Sequence, residues 1–187
     1  MINPYAIGKK IYLRAPELED AMNSSWYAWF SDPEVTMYLG DSRYWPNTKE
    51  SQIQFYESTK NSTDRLVLLI CDKNSDELIG VCNLSEINWV HRHAFVALVI
   101  AEEKYRKGPA AMETLSLMLE IAFNRLNLKN VRAAHISTNP YTPVLCKLFG
   151  FKEVGRFEKL LYFYGEYVDS VQQQLSRSDW RDRNQAN

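Results

Sequence analysis

The sequence predicts an α+β domain, an α/β layered arrangement in which helices flank a mixed, mostly antiparallel sheet. Three apolar runs rich in β-branched residues, at 65–72, 77–89 and 94–103, indicate consecutive strands. The turn-forming stretch KNSDE between the first two indicates an antiparallel hairpin. Residues 111–126 are apolar around most of a helical circumference, which is typical of a helix buried against a sheet. Helices and strands in this combination pack as layers.

The other elements follow from the same periodicities. Alternation and apolar spacing predict strands at 10–15, 131–138 and on both sides of 164–166, and helices at 17–30, 48–60 and 143–149. DPEV at 32–35 indicates a helix end or a one-turn helix. For the helix at 143–149, Thr142 is a suitable cap, and Gly150 can end the helix in a left-handed conformation. The predicted order is βααβββαβαββ.

The length and the net charge of the chain limit the classes of protein to which it can belong. The 187 residues suffice for one domain with a full core, and no Pro-, Gly- or Ser-rich linker divides them. We therefore expect a single domain over 1–187, with a frayed tail at 181–187. The net charge is −1, from 22 basic and 23 acidic residues, which predicts neither a nucleic-acid partner nor binding to an anionic membrane.

Cysteine usage and the N-terminus predict a cytoplasmic protein. Cys71, Cys82 and Cys146 are odd in number and lack the paired short spacing of metal or redox sites, so neither a disulfide nor a bound metal is expected. The start, MINPYAIGKK, has no apolar signal region, and no window approaches the roughly 20 apolar residues of a membrane span. The sequence is compatible with a homodimer.

The stretch IAEEKYRKGPAAMETL, which starts at Ile100, joins a predicted strand to the long helix through a basic turn. Such a junction offers free backbone N–H groups and the positive end of a helix dipole, which suit a phosphate or pyrophosphate group. By itself this is a weak signal, because turn charges are usually only solvated.

Several stretches together resemble the GCN5-related N-acetyltransferase (GNAT) superfamily, specifically its branch of ribosomal-protein alanine or serine acetyltransferases, over nearly the whole chain. They are IYLRAPELEDA with WYAWFSDPEVTMYL, LIGVCNLSEINWVHRHA, YRKGPAAMETLSLMLEIAFNRLNLKNVRA, and NPYTPVLCKLFGFKEVGRF followed by GEYVD. The combination is far more specific than any one stretch.

The resemblance implies a sheet in which two parallel strands splay apart, with acetyl-CoA as co-substrate in the gap. Residues 1–90 would form mainly the acceptor side and residues 91–150 the acetyl-CoA side. The residues implied to contact acetyl-CoA are Val99, Ile100 and Ala101 through their backbone, Arg106, Lys107, Gly108, Pro109, Ala110 and Ala111 in the pyrophosphate turn, Asn139, and Cys146. An amine would attack the thioester directly, giving an acetamide and free CoA.

The first departure from the family pattern is Pro109, which stands at the position of the first turn glycine. Proline has no N–H, so one phosphate donor is lost, while Gly108, Ala110 and Ala111 can still offer theirs. The second departure is Cys146, at a position where relatives usually carry a tyrosine thought to protonate the departing thiolate. A thiol can give that proton but is several ångströms shorter, which makes Tyr141 a second candidate acid.

Packing is the alternative role for Cys146, since a lone cysteine on a helix is commonly a small buried side chain. The third departure is Phe95, where many members of this branch carry a glutamate that helps to deprotonate the amine. Glu86, His91 and His93, directly upstream, are candidate replacements, although each is more often a surface residue.

Without a strong base, the acceptor should be an amine of low pKa. An amine with a pKa of about 10.4 is neutral in about one molecule in 2,500 at pH 7, whereas one with a pKa of about 8 is neutral in about one in ten. The difference corresponds to about 3.3 kcal/mol that a base would have to supply. This favours amino sugars and N-terminal α-amines over lysine side chains and polyamines.

Aromatic side chains are frequent in the first ninety residues and can stack on a sugar or a base. The candidate substrate-binding residues are Arg43, Tyr44, Trp45, Trp89 and His91, of which Arg43 could meet a phosphate. The sequence thus predicts an acetyl-CoA-dependent N-acetyltransferase acting on a small low-pKa amine, with an amino sugar or sugar nucleotide slightly preferred. The alternatives are acetylation of a protein N-terminus, a non-catalytic acyl-CoA-binding module, and an interaction protein that docks through its aromatic N-terminal half.

Overall fold

The computed structural model describes residues 1–185, which form one eight-stranded sheet flanked by helices. Its strands are β1 (Pro4–Ile7), β2 (Ile11–Arg14), β3 (Leu66–Asp72), β4 (Leu78–Asn88), β5 (His93–Ile100), β6 (Asn130–Ile136), β7 (Lys152–Phe163) and β8 (Glu166–Ser176). Their order across the sheet is β1-β2-β3-β4-β5-β6-β8-β7, and neighbours are antiparallel except β5 and β6. The α+β class and the mixed, mostly antiparallel sheet are confirmed.

The helices of the described residues are α1 (Leu18–Asn23), α2 (Trp26–Trp29), α3 (Pro33–Thr36), α4 (Lys49–Thr59), α5 (Glu103–Arg106), α6 (Ala110–Glu120), α7 (Thr142–Phe149) and α8 (Arg177–Gln185). A 3-10 turn at Gly40–Tyr44 follows α3, and α6 continues as a π-helical turn at Ile121–Arg125. None of the helices within residues 1–185 is both long enough and apolar enough to cross a membrane.

Two helix predictions differ from the structure. The helix expected at 17–30 is divided into α1 and α2, because Ser24 leaves the helical conformation and its hydroxyl bonds to the Asp20 carbonyl. The tail expected to fray is helical as far as Gln185, because the buried ring of Trp180 packs on Phe123 and anchors α8 to the core. The rest of that tail, 186–187, lies outside the described residues.

The parallel strands β5 and β6 separate soon after they begin. His93, Ala94 and Phe95 pair with Asn130, Val131 and Arg132, and these are the pairs recorded between the two strands. Beyond them β5 runs on to Ile100 and β6 to Ile136, while β6 keeps its other neighbour, β8, along its whole length. A wedge therefore opens from Phe95 toward the C-terminal ends of both strands, as the resemblance implied.

Two apolar clusters pack against the sheet. The first contains the buried side of α6, Cys146 of α7, and Ala94 and Val96 of β5. The second joins the N-terminal helices to β3 and β4, and reaches β5 at its end through Val99 and Ala101. Because side chains alternate along a strand, Ala97 lies on the side of the second cluster, yet it is exposed. We call this uncovered side of the sheet, at Phe95, Ala97 and Arg132, the open face.

The close approach of β4 to β5 requires a glycine. Gly80 pairs with Ile100, and a Cβ added at Gly80 would lie 2.1 Å from the carbonyl oxygen of Val99. That is far inside van der Waals contact, so a side chain here would have to move the backbone that forms one wall of the wedge.

At the opposite edge of the sheet, β7 is exposed along most of its length. Two register shifts interrupt its pairing with β8, between Glu153 and Gly155 and between Phe157 and Leu161. Bulges of this kind turn an edge strand away from pairing with another chain. The homodimer considered from the sequence stays a prediction.

Candidate functional site

The wedge opens toward the turn that precedes α6, and this turn is more ordered than the sequence indicated. The short helix α5 occupies its first half, and the N–H of Gly108 closes that helix on the carbonyl of Tyr105 at 3.2 Å. The prediction that Gly108 offers a free phosphate donor is therefore wrong. Pro109 directly precedes α6, and the carbonyl of Pro109 accepts a hydrogen bond from the N–H of Glu113.

The first turn of α6 presents the donors of this site. The N–H groups of Ala110, Ala111 and Met112 have no intrahelical partner, because the first residues of a helix have no preceding turn to bond. They lie at the positive end of the helix dipole, beside the exposed side chain of Lys107. Met112 was not among the predicted residues, since the family motif ends at Ala111; the helix start after Pro109 was the signal that could have found it.

Arg106 ties this turn to two other parts of the chain. Its Nη2 donates to the carbonyl of Ala101 at 2.7 Å, and its Nη1 lies 3.3 Å from a carboxylate oxygen of Glu34 on α3. The Nε of Arg106 is buried and has no hydrogen-bond partner in the described part of the chain. The guanidinium can turn to a phosphate at the start of α6 by giving up Glu34.

The end of β5 does not supply every backbone contact that was expected. The N–H of Ala101 donates to the Ile79 carbonyl at 2.9 Å, and its carbonyl accepts from Arg106. Both backbone groups of Ala101 are thus occupied, and the predicted cofactor contact through this residue is contradicted. Val99 and Ile100 precede it along the wedge and stay predictions.

Asn139 acts as the cap of α7. Its Oδ1 accepts from the N–H groups of Tyr141 and Thr142, at 2.9 and 3.2 Å, and its Nδ2 donates to the hydroxyl of Thr142. The capping role assigned to Thr142 therefore belongs to Asn139. The side-chain amide of Asn139 makes its hydrogen bonds within this loop, to Tyr141 and Thr142. Gly150 ends the helix with φ 84°, as predicted.

Cys146 is on the sheet-facing side of α7 and is 3% exposed, within the core cluster that also contains α6. Burial raises the pKa of this thiol to about 11. A thiol held protonated in an apolar environment is a poorer proton donor than the exposed thiol that the sequence analysis assumed. The geometry therefore favours packing over acid catalysis for Cys146.

Beside the open end of the wedge is a cavity of about 420 Å³. One wall comes from the N-terminal segment between Phe30 and Pro46, and the other from the turn between β7 and β8, at Tyr162, Tyr164 and Gly165. This turn lies past the C-terminal end of β6, because β8 runs antiparallel to β6 with Ser170 opposite Ile136. Among the described residues that line the cavity, Arg43 is the charged side chain, and none is a carboxylate.

Arg43 joins the two walls of the cavity. Its guanidinium donates to the carbonyls of Met37 and Tyr162 and to the hydroxyl of Tyr44. It also stacks on aromatic rings, 4.5 Å from the centre of Phe163 and 4.6 Å from that of Tyr44. Arg43 and Tyr44 are therefore part of the cavity wall, and Arg43 is bonded within the protein rather than free for a phosphate. Trp45 is 74% exposed at the rim.

Trp89 and His91 lie elsewhere. They belong to the turn between β4 and β5, at the closed end of the wedge and the opposite end of β5 from the cavity. The indole N–H of Trp89 donates to the Thr63 carbonyl at 2.7 Å, and the ring of His91 stacks on that of His93 at 6.4 Å. The structure does not bring these two residues together with Arg43, because the length of β5 separates their turn from the cavity.

Glu86 reaches the open face beside Phe95. It stands at a register shift of β4, between the pairs that Ser85 and Asn88 make with β5, and its backbone is left-handed, with φ 51°. Its carboxylate lies 2.6 Å from the guanidinium of Arg132. Of the three proposed replacements for the missing glutamate, Glu86 stands beside Phe95 from β4, and His93 lies two residues before Phe95 on the same face of β5.

Tyr141 is joined to the cavity wall through other aromatic rings and does not itself line the cavity. Its side chain is 73% exposed, and its ring meets the ring of Tyr38 edge-on at 6.3 Å. Tyr38 stacks in turn on Phe163, which is flanked in the chain by the cavity residues Tyr162 and Tyr164. The hydroxyl of Tyr141 is therefore accessible, unlike the thiol of Cys146.

Residues 10–152 match the family described as the acetyltransferase (GNAT) domain. Among curated proteins, a spermidine N(1)-acetyltransferase of Vibrio cholerae serotype O1 is 30% identical over 125 residues, which cover 67% of this chain and 70% of that protein. An N-acetyltransferase named p20, from Bacillus licheniformis, is 28% identical over 167 residues, covering 86% and 89% of the two chains.

Solved structures give the same fold. A crystal structure of spermidine N-acetyltransferase from Vibrio cholerae, in complex with CoA and spermine, superposes with a TM-score of 0.84 at 24% identity, and covers 93% of this chain and 99% of that one. A structure described as a probable acetyltransferase has a TM-score of 0.81 at 17% identity. At these identities the likeness concerns the fold alone.

Proposed function

Since this chain belongs to the GNAT acetyltransferase family, it is an acetyl-CoA-dependent N-acetyltransferase, and we propose that its acceptor is a small primary amine of low pKa, with an amino sugar or sugar nucleotide preferred. The observation that carries this proposal is the composition of the cavity beside the wedge. It is lined by aromatic rings and one internally bonded arginine, and its described lining residues include no carboxylate.

A polyamine site needs negative charge to compensate several ammonium groups, because removing unpaired charges from water is costly. The carboxylate of Glu34 is not among the residues that line the cavity. Aromatic faces, by contrast, suit a sugar ring or a base, which they can cover while hydroxyl groups make hydrogen bonds. The exposed indole of Trp45 at the rim gives a larger acceptor a surface on which to stack.

Acetyl-CoA supplies the acetyl group as a thioester. The residues present fit its diphosphate at the start of α6, where the N–H groups of Ala110, Ala111 and Met112 converge at the positive end of the helix and Lys107 adds a charge. Because proline has no N–H, Pro109 supplies no hydrogen-bond donor to the diphosphate. The backbone N–H of Met112 is a further donor, one residue beyond Ala111. The edge of β5 past Phe95 faces the wedge, where Ile100 can offer its backbone groups, whereas the Val99 carbonyl faces Gly80 of β4.

Catalysis in this proposal depends mainly on positioning. In this proposal the wedge holds the thioester of acetyl-CoA, and the cavity beside the open end of the wedge holds the acceptor amine. The exposed hydroxyl of Tyr141 takes the role of proton donor to the leaving sulfur, in preference to the buried thiol of Cys146. The reaction is assigned to the cytoplasm, a compartment that suits three free cysteines.

Spermidine is the second candidate acceptor, because a relative named for that activity is 30% identical to this chain. The α-amine of a protein N-terminus, expected from the likeness to the ribosomal-protein branch, is the third. Its pKa also satisfies the requirement for a neutral nucleophile without a strong base.

An amine panel tests the proposal. The whole chain is given acetyl-CoA with glucosamine, a nucleotide-linked amino sugar, spermidine or a short peptide, and released CoA thiol is measured at two salt concentrations. We expect kcat/KM for an amino sugar to exceed that for spermidine by at least tenfold. A preference for spermidine that weakens with salt would overturn the acceptor and leave the acetyltransferase assignment intact.

A further inference from the structure

Two arginines at the closed end of the wedge share one neutral oxygen atom. Nη2 of Arg92, in the turn before β5, donates to Oδ1 of Asn127 at 2.8 Å. Nη1 of Arg177, the first residue of α8, donates to the same oxygen at 2.6 Å. Neither arginine forms an ion pair within residues 1–185. Two like charges are therefore held one oxygen atom apart without a carboxylate between them.

Backbone hydrogen bonds hold the two arginines in this arrangement. The N–H groups of Lys129 and Asn130 donate to the Arg92 carbonyl, at 2.6 and 3.2 Å, and the N–H of Arg177 donates to the Lys129 carbonyl at 2.9 Å. Asn127 has a left-handed backbone, with φ 54°, which asparagine adopts more readily than most residues. The turn before β5, the chain before β6 and the start of α8 are thus joined where the guanidinium groups meet.

A third arginine lies beside this pair. Arg181 follows Arg177 by four residues on α8, and side chains at that spacing are neighbours on one face of a helix. Partial desolvation and the nearby charges of Arg181 and Arg92 lower the pKa of the Arg177 guanidinium, so the three cations act on one another. Arg181 is exposed and lines a surface cavity of about 390 Å³. The other described residues that line this cavity are Asn124, Trp180 and Gln185.

The carboxylates at this end of the molecule do not neutralise the three arginines. Asp179, in the first turn of α8, forms an ion pair with Lys152 at 2.8 Å. Glu120 accepts a hydrogen bond from the side-chain amide of Asn124. Asp182 lies on a different side of α8 from the two arginines, because successive residues of a helix do not share a face. Positive charge is therefore in local excess, although the net charge of the chain is −1.

The guanidinium groups keep donors for an oxyanion from outside the chain. An arginine carries five N–H donors, of which Arg92 uses two on Asn127 and Arg177 uses one. One guanidinium is enough to cover a planar carboxylate, whereas the oxygens of a tetrahedral phosphate can accept from two or three. A dianion also offsets more of the mutual repulsion than a monoanion does. The arrangement thus suits a phosphate group, and the cavity beside Arg181 has room for an organic group attached to it.

We propose that Arg92, Arg177 and Arg181 bind the phosphate group of a small phosphomonoester, whose organic part occupies the cavity lined by Arg181 and Trp180. This site is separate from the turn before α6 that is proposed to receive acetyl-CoA, because the two lie at opposite ends of β5. It is also independent of the identity of the acceptor amine. A nucleic-acid backbone fits less well, since a chain with a net charge of −1 offers no long basic surface for successive phosphates.

Titration calorimetry at constant ionic strength tests the site, with glycerol 3-phosphate, inorganic phosphate and glycerol as probes. Saturating CoA is present throughout, so that the proposed diphosphate site is filled. The variants are Arg177→Gln and Arg181→Gln. The matched control is Arg156→Gln, which removes an exposed arginine that is already paired with Glu153 and Asp169 on the other side of the sheet's edge hairpin. Thermal unfolding without a probe checks that each variant folds, and the exposed Arg181 gives a second test if Arg177→Gln does not.

We expect glycerol 3-phosphate to bind the wild type with a Kd of about 1 mM or lower, and each site variant about tenfold more weakly, because charge-assisted hydrogen bonds are lost. The Arg156 variant should bind like the wild type, and glycerol should not bind. Unchanged binding to both site variants, or binding of an oligonucleotide but not of the ester, would overturn the inference. Inorganic phosphate that binds as tightly as the ester would overturn the assignment to a phosphomonoester.

Discussion

The carboxylate of Glu34 lies 3.3 Å from the guanidinium of Arg106, and this contact joins α3 to the turn that is proposed to receive acetyl-CoA. Glu34 is on α3, next to cavity residues Pro33 and Thr36, while Arg106 ends α5. An arginine that turns to a phosphate must give up this carboxylate. Acetyl-CoA binding would then release Glu34 at the edge of the acceptor cavity.

Removing the charge of Glu34 should therefore strengthen cofactor binding. Because Glu34 is mostly exposed, the pair is worth at most about 1 kcal/mol, and we expect Glu34→Gln to lower the Kd of acetyl-CoA about two- to fivefold at low salt. The gain should disappear at high ionic strength. Calorimetric titration measures it, with Glu153→Gln as control, since Glu153 forms an ion pair of the same length with Arg156. Weaker binding to the Glu34 variant would contradict the competition.

Gly80 should tolerate no side chain. In Gly80→Ala the added Cβ would meet the Val99 carbonyl at 2.1 Å, so β4 and β5 must move apart, at a cost of about 1–3 kcal/mol in the free energy of unfolding. Gly155→Ala is the matched control, because nothing lies within 4 Å of a Cβ at that position. Denaturant unfolding of both variants measures the difference. Equal stabilities would show that the strands are less closely held than the structure indicates.

Replacing Cys146 should leave turnover almost unchanged. The thiol is buried in the core and its pKa is raised to about 11, so we expect Cys146→Ala to keep kcat within about threefold of the wild type. By contrast, Tyr141→Phe should lower kcat about tenfold, since it removes the accessible hydroxyl. A loss of tenfold or more in the cysteine variant would restore its role as the acid.

Cys146 should also make stability depend on pH. Its folded pKa is raised, so the folded state keeps this proton in a range where the unfolded thiol, with a pKa near 8.5, has lost it. The protonated, buried thiol makes its full contribution to the free energy of unfolding below about pH 8.5, and this contribution is lost as the pH rises through about 11. The stability of the wild type relative to Cys146→Ala should fall by about 3 kcal/mol across that window, at about 1.36 kcal/mol per pKa unit, as urea unfolding at several pH values would show. A constant difference would mean that the thiol is solvated.

Much of the fold could be predicted, because local patterns carry it. The alternation at 65–72 and the turn after it correspond to the β3–β4 hairpin, and the apolar circumference after Pro109 corresponds to the buried helix α6. The division of the helix at Ser24 was missed, because a hydroxyl that bonds back to a carbonyl leaves no mark in the hydrophobic period. Likewise α5 is too short for any period to indicate.

The site was predicted less well than the fold. Asn139 and Gly108 bond within their own loops, and Ala101 bonds to Ile79 of β4 and to Arg106. Hydrogen bonds of this kind depend on the direction of single groups, which spacing along a chain does not give. Trp89 and His91 were placed with Arg43, although β5 separates their turn from the cavity.

By itself the sequence determined most of the secondary structure, the family and a helix start after Pro109, and it predicted that Phe95 stands in place of a catalytic glutamate. Only the tertiary structure decided that Glu86 from the next strand stands over that phenylalanine, that Cys146 is buried, and that Arg43 is bonded into the cavity wall. The physical reason is that periodicity and propensity act between near neighbours in the chain. The pairing of Glu86 with Arg132, 46 residues apart, is fixed by the order and register of three strands.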